Sequence, residues 1–185
     1  MAYFYFDFRE ANKQGLRDLL SSLLTRLSAS SVPRYNVLSD LYLAHGEGTI
    51  QPSNIKLTEC LKQMVTLPDQ RPTYLIIDAI DESPNIPAMS SPRDMVLHLL
   101  EEVVKLGLPD LRICVTSRPQ TDIRKFLKPL TSLRVSLHDQ TEQKEDIVEY
   151  VKSVVDSNLE PFMSTWRPED RELVIKVLSE RGDGM

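Results

Sequence analysis

Glycine is scarce in this 185-residue chain, with six in all, and none of the six is followed by lysine. The sequence therefore holds no glycine-rich loop ending in Gly-Lys-Ser/Thr, the arrangement whose backbone N–H groups cradle phosphates. Gly46-Glu47-Gly48 puts an acid where phosphate would be repelled, and it reads as a loop. Cysteine is rarer still. Cys60 and Cys114 lie far apart, each within an apolar pattern, so both are expected as buried free thiols, and no spacing supports a disulfide or a zinc site. His45 in a loop, His98 on a helix and His138 after a strand are too dispersed to build a His/Cys metal cluster. No apolar stretch approaches the roughly 20 residues that cross a bilayer. Met1-Ala2-Tyr3-Phe4 is not a basic region followed by an apolar one. The expectation is a soluble, cytoplasmic protein that does not enter a membrane. Basic charge is not in excess either: the formal net charge of -5 argues against gripping a nucleic-acid backbone as the main task.

What the chain does have is an apolar run that stops abruptly at acids. Tyr74-Leu75-Ile76-Ile77-Asp78-Ala79-Ile80-Asp81-Glu82 ends in three carboxylates within five residues. An apolar run without alternation suits a strand covered on both faces, as in a parallel sheet, whose carboxyl edge is where ligands bind. Leu111-Arg112-Ile113-Cys114-Val115-Thr116-Ser117-Arg118-Pro119 repeats the design with two hydroxyls and an arginine at its end. Carboxylates hold Mg²⁺ and a guanidinium grips phosphate oxygens, so neighbouring tips of opposite charge suggest a nucleoside triphosphate site. The alternative is plainer: the acids and the arginine cap two strands, pair with each other, and the turn after the first strand is simply solvated.

The surrounding pattern alternates strands and helices. Tyr3-Phe4-Tyr5-Phe6-Asp7-Phe8 reads as an aromatic strand with no binding chemistry of its own. Leu16, Leu19, Leu20, Leu23, Leu24 and Leu27 recur at helical spacing, ending between Ser28 and Pro33. Tyr35, Leu38, Leu41 and Tyr42 suggest a short helix, and Leu57, Cys60, Leu61, Met64 and Val65 another. The three-proline stretch 83–92 reads as a loop directly after the acids, closed by Ser91-Pro92 as a helix start. Met95, Val96, Leu99, Leu100, Val103 and Val104 form the buried stripe of the helix that Gly107 ends. Ile123, Phe126 and Leu127 mark a short helix. Leu133, Val135 and Leu137 alternate with Arg134 and Ser136 as a strand. Ile147, Val148, Val151, Val154 and Val155, then Leu173, Val174, Val177 and Leu178, give two last helices. The fold class is α/β, a parallel sheet flanked by helices.

These residues together resemble a NACHT domain of the STAND-class P-loop NTPases, in particular the fungal, nephrocystin-like kind often joined to ankyrin or WD repeats. The resemblance rests on the aromatic strand, on 74–82 as Walker B with its small Ala79, on 111–119 as sensor 1, and on Asp146-Ile147 with Tyr150-Val151. It implies one incomplete NACHT domain over 1–185, with C-terminal helices at 142–181 and a P-loop NTPase-like (ASCE/STAND) fold whose first strand and phosphate loop are missing. By resemblance, Asp78 orients Mg²⁺ through water, Asp81 or Glu82 polarises the hydrolytic water, and Arg118 senses the γ-phosphate. Thr116 and Ser117 join Asp78 and Arg118 in binding ATP or GTP, although either hydroxyl is equally an ordinary strand end. The phosphate-cradling loop supplies the largest part of nucleotide affinity, so little hydrolysis is expected of a fragment without it. Expected partners are other NACHT-type chains, the missing N-terminal segment, or repeat and effector domains of the parent. Two alternatives stand beside this reading. One is a non-catalytic adaptor of NACHT shape. The other is a Mg²⁺-dependent nuclease or phosphatase built on Asp78, Asp81 and Glu82, although two-metal sites usually draw their acids from several elements.

Overall fold

The computed structural model describes residues 1–68, 72–86, 91–136, 141–157 and 166–181. The chain falls into two compact units, residues 1–131 and 132–185. The first contains β1 (Ala2–Tyr5), α1 (Leu16–Ser28), α2 (Val32–Ala44), α3 (Asn54–Thr66), β2 (Thr73–Asp78), α4 (Pro92–Val104), β3 (Leu111–Val115) and α5 (Thr121–Leu127). In the second, α6 (Thr141–Asp156) and α7 (Pro168–Arg181) pack on each other. Among the described residues no helix is long and apolar enough to cross a membrane.

The three strands form one parallel sheet in the order β1-β2-β3, with Phe4 beside Ile77 and Ile77 beside Val115. Parallel neighbours need long crossovers, and helices α1–α3 supply the first while α4 supplies the second. The six leucines of α1 are all buried, as their spacing requires, and α1 packs on β1 and α3. At the start of α4 the Ser91 hydroxyl accepts the Asp94 amide at 3.1 Å and the Asp94 carboxylate accepts the Ser91 amide at 3.3 Å. This reciprocal cap with Pro92 in the first turn is the helix start read from the sequence.

Several expectations need correction. The run 74–78 is not covered on both faces: Thr73, Leu75 and Ile77 are buried, whereas Tyr74 and Asp78 are exposed. The pleat sends alternate side chains to opposite faces, and one face carries the core shared with α1, α3 and α4. On the other face Tyr3, Tyr5 and Tyr74 meet solvent. Cys60 is buried as expected, and burial alone pushes its thiol up to about 11. Cys114 is exposed, because it points to the uncovered face of β3. Residues 133–136 form no strand, Leu133 and Val135 are exposed, and Leu137 and His138 lie outside the described residues. An alternating pattern becomes a strand only where a neighbour takes up its backbone groups, and β3 is the edge of the sheet among the described residues. The short helix at 35–42 is a full 13-residue helix, with His45 at its end. Of the loop 83–92, residues 87–90 lie outside the described residues.

Arg34 on α2 is a buried charge that periodicity did not reveal, only 3 % exposed. Its guanidinium donates to the Met64 carbonyl (3.2 Å), the Ser30 hydroxyl (3.0 Å) and the Thr73 hydroxyl (2.6 Å). It therefore fastens α2 to the end of α3 and the start of β2.

Candidate functional site

A parallel sheet delivers the carboxyl ends of all its strands to one edge, so Asp78 after β2 and Thr116 to Arg118 after β3 arrive side by side. The ladder continues past the strands: the Phe6 amide donates to the Asp78 carbonyl (3.0 Å), the Thr116 amide to the Ile77 carbonyl (3.0 Å) and the Ile80 amide to the Thr116 carbonyl (3.1 Å). Between these bonds Ala79 turns the chain in the left-handed region, with φ 55° and ψ 47°. A β-branched side chain would be costlier there than alanine. The fully buried Ile80 and Ser83 then root the turn, Ser83 by donating to the Gln14 carbonyl at 2.8 Å.

Thr116 locks Asp78. Its hydroxyl accepts the Ala79 amide at 3.0 Å and donates to Asp78 Oδ1. The Asp78 carboxylate is thus oriented by the neighbouring strand while remaining exposed at the edge. Ser117 is exposed beside it.

Asp81 and Glu82 do not converge on Asp78. The Asp81 side chain is only 5 % exposed; Oδ1 accepts the Arg118 amide at 2.9 Å and Oδ2 lies 3.7 Å from Arg118 Nε. Glu82 turns the other way and accepts the Phe8 amide at 3.3 Å. The acids therefore serve two segments, Asp78 and Asp81 the loop after β3 and Glu82 the chain after β1, and among the described residues no group of three or more His, Cys, Asp or Glu side chains gathers around a point fit for a metal. A divalent cation here would meet Asp78 as its protein carboxylate and complete its shell with water and phosphate oxygens, a ligand set that suits Mg²⁺. The Arg118 guanidinium is 70 % exposed at the same edge.

Two residues of this region escaped the sequence reading. Just past β1, Asp7 accepts from the Arg9 amide (2.9 Å), Nε (2.9 Å) and Nη2 (2.8 Å). Those bonds, the side-chain ones foremost, hold its carboxyl down at about 2. The same carboxylate raises the Arg9 guanidinium above its ordinary value. The second is Arg93 on α4, 6 % exposed, which donates to the carbonyls of Asp81 (2.6 Å) and Ser83 (3.0 Å), to the Gln120 side chain and to Asp122 (3.0 Å). A signal for it existed. Arg93 stands three residues before Val96 and seven before Leu100, on the buried stripe, where a charge must find partners.

With this geometry in view, residues 1–118 match the family described as Nephrocystin 3, N-terminal. No curated protein and no solved structure matches the chain.

Proposed function

Because the chain belongs to the nephrocystin 3 N-terminal family, we propose that it works as part of a NACHT-type signal-transduction NTPase switch of the P-loop class. It carries the Walker B and sensor 1 strands, but within these 185 residues no glycine-rich phosphate loop, so it is weak or inactive in hydrolysis alone. The observation that supports this reading is the Thr116 bridge, which holds the Asp78 carboxylate beside the loop bearing the exposed Arg118. Asp78 would orient Mg²⁺ through water, and Mg²⁺ when bound would neutralise charge on the phosphates of ATP or GTP. Arg118 would grip the terminal phosphate after parting from Asp81, and Thr116 and Ser117 would line the same edge. Of the two acids proposed for the hydrolytic water, Glu82 has the lighter engagement, a single 3.3 Å bond to a backbone amide. Asp81 would first have to leave Arg118.

The test is titration of the full chain with inorganic triphosphate and Mg²⁺. Weak binding that Asp78→Asn and Arg118→Ala each reduce about tenfold is expected, the weight of a hydrogen bond to a charged group. Binding indifferent to both substitutions overturns the reading. Phosphate release from ATP or GTP should not exceed that of Asp78→Asn.

A second reading, a non-catalytic interaction module of the same shape, has its own support. The outer edge of β3 pairs with no strand among the described residues, and Tyr3, Tyr5 and Tyr74 face solvent on β1 and β2 of the same sheet. Under this reading the partners are other NACHT-type chains or effector domains. Light scattering behind size exclusion separates the two: a defined oligomer with no triphosphate binding favours the module.

A further inference from the structure

Four residues at the strand tips close a ring of hydrogen bonds. Arg93 Nη2 donates to the Asp81 carbonyl, the Asp81 carboxylate accepts the Arg118 amide, the Arg118 carbonyl accepts the Gln120 amide at 2.8 Å, and the Gln120 side-chain oxygen accepts Arg93 Nη1. The ring joins the acidic turn after β2 to the arginine-bearing loop after β3. Arg93 is the member that comes from a helix with its own core contacts, since Val96, Leu97 and Leu100 of α4 are buried. A guanidinium suits the task because its donors are fixed in one plane and reach several acceptors at once, whereas a lysine ammonium is a single point on a flexible stem.

An apolar side chain in place of Arg93 would leave the Asp81 and Ser83 carbonyls, the Gln120 side-chain oxygen and Asp122 without their donor, at a cost in stability. It would also leave nothing to hold the two loops in one register. We propose that Arg93 is the positioning residue of the phosphate site. Through Asp81 on one side and Gln120 on the other, it fixes the backbone from which Arg118 projects, so that the guanidinium meets a phosphate on an already ordered loop. The inference rests on the phosphate-gripping role proposed for Arg118.

The experiment uses the full chain and Arg93→Lys, which keeps the charge but cannot serve every acceptor. Without ligand, hydrogen exchange should quicken about tenfold at the Arg118 and Gln120 amides, a local opening, while the β1–β2 ladder and α1 keep their rates. Uniform quickening across the ladder and α1 would make Arg93 a stability residue and overturn the proposal. Gln120→Leu opens the ring without touching the α4 core and should give the same local signature, which covers the case of an Arg93→Lys variant that fails to fold. With inorganic triphosphate and Mg²⁺, Arg93→Lys should weaken binding about three- to tenfold when Arg118 is present and leave it unchanged in an Arg118→Ala background. An equal loss in both backgrounds overturns the proposal. Triphosphate binding untouched by Arg118→Ala would instead sink the reading of Arg118 on which it stands.

Discussion

At Ala79 a single residue holds the acids in place by adopting a backbone conformation that L-residues avoid. The left-handed region costs a side chain about 1–2 kcal/mol, and such strain persists where surrounding bonds over-determine it. Here they do, with the Ala79 amide on Thr116 and the Ile80 amide on the Thr116 carbonyl. Ala79→Gly should therefore raise the unfolding free energy by about 1 kcal/mol in urea, and Ala79→Val should lower it by more than that. A loss of stability in the glycine variant would show that the methyl packs better than the strain costs. Asp7 makes a second prediction. Its carboxyl titrates at about 2 when folded against an ordinary 3.8, so the charged form is favoured by folding. The stabilisation is complete above the unfolded value and is lost as pH falls from 3.8 towards 2. Thermal midpoints measured from pH 6 to pH 2 should drop more steeply below pH 4 for the wild type than for Asp7→Asn; coincident profiles would remove Asp7 from the acid response. The sequence pointed to Ala79 as small but not to its φ, and it hid Asp7 because a lone acid inside an aromatic strand carries no periodic mark.

The helices of the first unit follow from spacing, since a leucine stripe has one way to leave water, and α1 buries all six. The strands were legible in position but not in environment. A run such as Leu75-Ile76-Ile77 says that a strand is apolar; whether its second face is covered depends on elements elsewhere, and Tyr74 on that face is exposed. Arg34 shows a related blind spot, because a charged residue on a helix ordinarily reads as solvated. Its replacement by methionine keeps much of the volume but deprives the Met64 carbonyl and the Ser30 and Thr73 hydroxyls of a donor. Arg34→Met should cost about 1–3 kcal/mol, the penalty for burying polar groups that have lost a partner. Urea unfolding would show this as a lower midpoint at unchanged slope. A neutral substitution would mean that the three acceptors find other partners and that α2 is held by its apolar contacts.

For the molecule as a whole, the order of strands is what brings the candidate site together, and that much the sequence disclosed: two parallel neighbours with acids on one tip and arginine on the other must meet at one edge. It did not disclose that β3 would be the last strand among the described residues, because the alternation at 133–136 promised a further one. An edge strand offers unpaired N–H and C=O groups to any other strand, and natural edges are guarded by charge, proline or bulges. On the exposed face β3 presents Arg112 and Cys114, so one of these two positions already has a guard. Arg112 donates to its own neighbours, the Pro109 and Leu111 carbonyls, which keeps its charge near the start of the strand and leaves the middle apolar. A lysine at the exposed Cys114 would place an ammonium there without entering the core, which lies on the other face. Cys114→Lys should therefore shift the weight-average mass, followed by light scattering over a concentration series in reducing buffer, towards the monomer, while the thermal midpoint of the dilute protein changes little. If wild type and variant associate alike, the β3 edge is not the adhesive element, and the tyrosine-bearing sheet face becomes the surface to alter next.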